Sequence, residues 1–146
     1  MEQLGEWQYT CDRIATIDAY QRAVESGSGS CSCAGCRNFV AARAQVFPEP
    51  CLALLDSLGI DPAKDGEVYH IARRSPGRHI YGGWYHFIGT LEISGDFAAV
   101  NLERGFMTSL CLASAPSLDT LAGQPLVQVE FHTDDVPWVL SEQEPD

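Results

Sequence analysis

The chain has 146 residues, 45% of them apolar, and three tryptophans, which fits one domain with a core of its own and excludes a disordered protein. Its net charge of −11 repels phosphate, which argues against a nucleic-acid partner. No apolar run reaches the roughly 18 residues of a membrane span, and residues 1–7 lack the basic start and apolar stretch of a secretory signal, so a cytoplasmic protein is expected.

Trp7, Tyr9 and Cys11 alternate with Gln8 and Thr10, which predicts a short strand. Asp18 can cap a helix with Tyr20, Ala23 and Val24 on one face, and Gly27 should stop it. A Gly/Ser/Cys loop follows. Cys36 then opens a second helix carrying Phe39, Val40 and Phe47, ended by Pro48, whose nitrogen cannot donate to a helix ladder. Pro50 suits the first turn of a third helix. There Cys51, Leu54, Leu55 and Leu58 draw an apolar stripe that makes Cys51 a packing residue, and Gly59 ends it.

From Glu67 the period changes. Residues 68–72 read as a strand, 75–78 as a turn centred on Pro76 and Gly77, and 80–93 as a long strand. After a turn at Ser94 and Gly95, strands over 97–102 and 106–113 flank a three-residue hairpin loop, Glu103, Arg104 and Gly105. A last strand covers 125–132, and Trp138 anchors the end. Helices first and strands later predict an α+β fold, N-terminal helices packed on a five- to six-stranded antiparallel sheet with a cysteine-bound metal loop. Residues 1–140 form the single globular domain, and 141–146 are expected to be a flexible acidic tail.

The densest chemistry is Cys31, Cys33 and Cys36, three thiols in six residues of a loop with almost no other functional side chain. Cys33 and Cys36 have zinc-knuckle spacing, Gly35 permits the bend, and Cys31 can fold back as a third ligand. Cys36 at a helix start should favour thiolate. A cytosolic chain keeps such cysteines as thiols or metal ligands, which points to one structural Zn²⁺ per chain. A closed site needs a fourth ligand. Cys11, on the strand before the first helix, is the first choice, followed by His70, His79 and His86, then Cys111, and Cys51 last. The same residues would serve a thiol redox site, Cu(I) or an iron–sulfur cluster.

Residues 78–87 form the second unusual segment. His79, Tyr81, Gly83, Tyr85 and Phe87 share one strand face, with Ile80, Gly82, Trp84, His86 and Ile88 on the other. They read either as a packed aromatic strand or as a shallow pocket of Trp84, Tyr81 and a histidine, with Arg73, Arg74 and Arg78 at its rim. The paired glycines mark a close approach. Catalytic motifs are absent from the sequence: no G-x-S-x-G, H-E-x-x-H, P-loop or dinucleotide fingerprint occurs. His132 with Asp134 and Asp135 could form an acid–base group only if they left the turn that their polarity predicts. No Lys or Arg follows Arg104, whereas seven acidic residues do. A non-enzymatic module that attracts a basic protein, such as a neutralising or immunity-type partner, is therefore expected. A thiol redox enzyme or metal carrier is the alternative.

Overall fold

Strand formation dominates the second half of the chain because β-branched and aromatic residues recur there at period two. The computed structural model describes residues 1–24, 26–103 and 105–146; Arg104, expected in a hairpin loop, and Glu25 lie outside the described residues. Strands β1 (Glu2–Leu4), β2 (Trp7–Cys11), β3 (Glu67–Ser75), β4 (Arg78–Ile93), β5 (Val100–Glu103), β6 (Phe106–Leu112) and β7 (Leu126–Pro137) form a seven-stranded antiparallel sheet. The long β4 is its axis. One edge of β4 pairs with β7, while the other takes β3 along its first half and β2 along its second.

Helices α1 (Arg13–Arg22), α3 (Ala34–Ala42) and α4 (Glu49–Leu58) pack on this sheet, with a single turn, α2 (Gly27–Ser30), between the first two. The fold is α+β, as the order of patterns predicts, with one strand more than expected. The additional strand is β1, which carries only Leu4 as a buried anchor. Asp12, not Asp18, caps α1, accepting from the Ala15 amide at 3.1 Å. Asp18 lies inside the helix and pairs with Arg22 one turn on, at 2.9 Å. Strand β7 runs on to Pro137, so Asp134 and Asp135 belong to a strand and not to a turn.

One face of the sheet holds the core. Phe39 of α3 and Phe47 meet Tyr85, Phe106 and Phe131 in an edge-on and stacked aromatic cluster. Such pairs each contribute about 0.5–1.5 kcal/mol beyond their buried area. Cys51, Leu55 and Leu58 complete the stripe of α4, which stops at Gly59, in the left-handed region at φ 80°. The packed reading of the β4 segment is the observed one. His79, Tyr81, Tyr85 and Phe87 are buried toward the helices, whereas Trp84 faces the opposite side, so these side chains do not share a pocket.

The two glycines in β4 have separate steric reasons. A Cβ on Gly82 would lie 2.7 Å from the Tyr69 ring on the second face, and one on Gly83 would lie 2.8 Å from Phe131 in the core. The second face is covered over His86 by the segment containing Ser117, and leaves Tyr69 and Ile71 exposed and Trp84 half-buried, flanked by Glu67 and Glu130.

Candidate metal centre

Helix α3 is fastened before its cysteines come into play. Tyr81 of β4 donates its hydroxyl to the Gly35 carbonyl at 2.8 Å, a contact in the first helical turn. Asn38, fully buried one turn on, donates to Pro137 O at 3.1 Å and accepts from Val139 N at 2.8 Å. The opening of α3 therefore lies against β3 and β4, with Cys36 facing inward and Cys33 exposed at the cap.

Cys31, Cys33 and Cys36 present their sulfurs within 4.8 Å of one another, close enough to hold a metal ion. The Cys31 and Cys33 sulfurs are 3.2 Å apart. Two sulfurs bonded at about 2.3 Å to a tetrahedral ion stand roughly 3.8 Å apart, a spacing inside the range this cluster spans. Soft thiolates in this number suit zinc or another thiophilic ion.

Their acidities differ, and not in the direction predicted for Cys36. The helix begins at Ala34 with Cys33 as its cap, so the sulfur that accepts the Cys36 amide at 3.4 Å is that of Cys33. This hydrogen bond, aided by the Cys31 thiol, lowers the Cys33 pKa below the usual thiol value. Cys36 is raised by burial and by its two thiol neighbours; its thiol faces the Val68 carbonyl. Ionising one thiol opposes ionising the next at this separation. A bound cation would relieve that repulsion and release protons.

The preceding loop is less bare than its composition implies. The Gly27 and Ser28 amides donate to Asp65, to the carbonyl at 2.8 Å and the carboxylate at 3.0 Å respectively. Arg37 reaches back to Ser32 O at 2.9 Å. Cys31 to Cys33 is thus a short exposed span between two fixed ends.

Cys11 is not brought to this cluster. Its thiol points at Leu58 O, 3.4 Å away, and its strand partner is Gly89. Gly89 lies eight residues along β4 from Tyr81, a run of roughly 26 Å at strand rise. Burial raises the Cys11 pKa to about 11. Strand β2 forms where the alternation predicts it, but it pairs with the far half of β4. Cys111 sits on β6 opposite Gln128, and Cys51 in the core. His86 is satisfied, with Gln128 at 2.8 Å on Nε2 and the Ser117 amide donating to Nδ1 at 3.1 Å. Among the described residues no hydrogen bond joins His132 to Asp134 or Asp135, and Asp135 instead pairs with Arg74 and Arg78.

His70 is the sequence candidate that does meet the cysteines. It lines a cleft of about 440 Å³ with Cys31, Cys33 and Cys36. Behind it His70 Nε2 and His79 Nδ1 are 2.8 Å apart, and His79 Nε2 is 3.1 Å from Glu144. Sequence reasoning ranked both histidines but missed Glu144. The turn at Pro76 and Gly77 was a signal for the histidine pair, because it folds β4 back along β3.

Glu144 belongs to the segment expected to hang free. Residues 141–146 instead fold back over the sheet. Glu142 pairs with Arg37, Glu144 with Arg73 and the Gly77 amide, and Asp146 with Arg73, while Pro145 lines the cysteine cleft. Trp138 donates its indole N–H to Glu142 O at 3.0 Å. The hydrogen bond from His79, supported by Arg73 and the Gly77 amide, holds the Glu144 pKa below its ordinary 4.5. A carboxylate so depressed stabilises the docked segment fully above the unfolded value, and that contribution is lost as pH falls through the lower folded value. Trp138 fluorescence should therefore report release with a midpoint below pH 4.5, and Glu144→Gln should abolish that carboxylate step. A midpoint near pH 6, unchanged in Glu144→Gln, would assign control to a histidine instead.

No protein-family model, curated protein or solved structure matches the chain. Among the described residues no helix is long and apolar enough to cross a membrane.

Proposed function

We propose that the chain is a zinc-binding domain acting as a non-enzymatic interaction module for a basic protein. The observation that carries the metal reading is the convergence of Cys31, Cys33 and Cys36 at the start of a helix already fastened to the sheet. In this reading the ion ties the exposed cysteine span to β3 and has no reaction to perform. Elemental analysis of the purified chain should return one zinc per chain, with the three thiols protected from alkylation until a chelator is added. Metal-free protein with three freely reacting thiols would refute it.

The partner reading rests on charge and on the exposed part of the second sheet face. Tyr69 and Trp84 offer ring surfaces there, and Glu67 and Glu130 lie close enough to raise the Tyr69 pKa, after burial as the larger cause. Carboxylates beside aromatic rings suit Lys and Arg side chains, by ion pairing and by cation–π contact. The C-terminal acids named by sequence contribute less, because Asp135, Glu142, Glu144 and Asp146 are occupied by arginines of this chain. A neutralising partner of a basic toxin is one concrete form of the module. Capture at low ionic strength should return a basic protein whose association slows with salt and with Glu67→Gln plus Glu130→Gln. An association rate indifferent to both would rule the steering out.

A second reading, thiol redox or metal transfer, is favoured by one feature: Cys31 and Cys33 are exposed, with sulfurs 3.2 Å apart. It requires a reversible disulfide or a readily exchanged ion where the structural reading requires a retained one.

A further inference from the structure

We propose that His70 is the fourth metal ligand, binding through Nδ1, and that His79 and Glu144 hold its ring in the tautomer that leaves this nitrogen free. The inference rests on the zinc reading above and names how that site is closed.

With both imidazoles neutral, the hydrogen-bond chain has one arrangement of protons. Glu144 accepts from Arg73 at 3.1 Å and from the Gly77 amide at 3.0 Å, so its carboxylate is surrounded by donors. An ionised carboxylate only accepts, so His79 must donate through Nε2–H across their 3.1 Å contact. In a neutral imidazole the other nitrogen then carries a lone pair. His79 Nδ1 accordingly accepts, and the donor across the 2.8 Å contact is His70 Nε2–H. The remaining lone pair of His70 is on Nδ1, the form that a metal requires. Histidine ligands are ordinarily held in this manner, the second ring nitrogen donating to a fixed acceptor.

The position agrees with the chemistry. His70 and the three cysteines line the same cleft, to which Pro145 of the C-terminal segment also contributes. At the start of α3 the Cβ of His70 and the sulfur of Cys33 lie 3.2 and 4.0 Å from the point that a Cβ on Gly35 would occupy. Glycine there lets the start of the helix lie close against β3 at His70. The ring stands outside the 4.8 Å sulfur cluster, so ligation draws the exposed Cys31–Cys33 span toward β3. Three sulfurs and one imidazole make a closed Cys₃His set of the kind structural zinc sites use. The buried His79, which is 0% exposed and packs on Trp138, also links His70 to Glu144: among the described residues its ring nitrogens bond to these two groups.

The test uses the full-length chain and zinc alone. Long-range ¹H–¹⁵N correlation of the zinc-loaded protein should show His70 with a metal-bonded Nδ1 and a protonated Nε2. Competition with a chromophoric chelator should show His70→Ala weakening zinc at least ~100-fold, and Glu144→Ala weakening it about 10–100-fold. Zinc held at one per chain with His70 Nδ1 unbonded, or an affinity unchanged in a folded His70→Ala, would overturn the fourth ligand and leave the zinc reading standing. No zinc binding by the wild-type chain would overturn both. If His70→Ala fails to fold, the wild-type spectrum decides alone.

Discussion

Removing the metal should lower Tm by about 10 °C without unfolding the domain at room temperature. An ion present at a hundred times its dissociation constant contributes about 2.7 kcal/mol when the unfolded chain does not bind it. For a chain of this size that corresponds to roughly 10 °C. The domain should survive the loss because α3 remains tied through Tyr81 and Asn38, and the preceding turn through Asp65. Hydrogen exchange should accelerate at residues 31–33, between those two anchors. Cys36→Ala should reproduce the chelated state and become insensitive to chelator. Cys51→Ala, a change of similar volume in the core, should cost about 1 kcal/mol and retain the chelator response. A wild-type Tm indifferent to chelation, in protein shown to contain zinc, would mean the ion stabilises nothing.

This contrast also marks what local sequence could and could not reveal. Cys51 was assignable because the spacing of Leu54, Leu55 and Leu58 fixes which side of a helix it occupies. Strand β4 was assignable from its alternation, and with it the burial of His79, Tyr81 and Tyr85. Helix α1 was placed too late because Val24 looked apolar enough to extend it, yet Val24 is 96% exposed and Asp12 supplies the cap. The cysteine cluster was visible as three thiols close in sequence, since neighbours in a tight turn meet whatever the rest of the chain does. Which of the ranked candidates approaches it was not, because the distance of His70 and Cys11 from the loop depends on sheet order. β2 joins the second half of β4 and β3 the first, and this choice carries Cys11 away from the cleft while keeping His70 beside it. The contacts of the acidic end were not legible for a related reason. Its charges suggested solvent, but Arg37 and Arg73 lie far away in sequence and meet Glu142 and Glu144 only after the sheet forms.

Asp65→Ala should be the most damaging single change outside the aromatic core, costing about 3 kcal/mol. Asp65 is 0% exposed, and its carboxylate accepts the Ser28 amide at 3.0 Å and the Ser28 hydroxyl at 2.5 Å. Arg43 stands 3.8 Å away, three-quarters buried and also donating to Ala63 O. Truncation leaves the Ser28 amide without an acceptor, its hydroxyl with only the long 3.4 Å contact to Ser26, and Arg43 without its counter-charge. Breaking a buried pair from one side costs about 3–5 kcal/mol, and the longer Arg43 contact places this case at the lower end. Asp65→Asn keeps one acceptor oxygen and should cost about half as much. Ser28→Ala removes the hydroxyl but keeps the amide bond, for about 1 kcal/mol. Urea unfolding in the presence of chelator measures these differences without the metal contribution; the midpoints should fall in that order at constant slope. With zinc restored, Asp65→Ala should also bind the ion more weakly, because the turn before Cys31 is no longer held in place. An Asp65→Ala midpoint within about 0.5 kcal/mol of wild type, the range of ordinary surface substitutions, would show that the helical turn before the cysteines does not depend on this carboxylate.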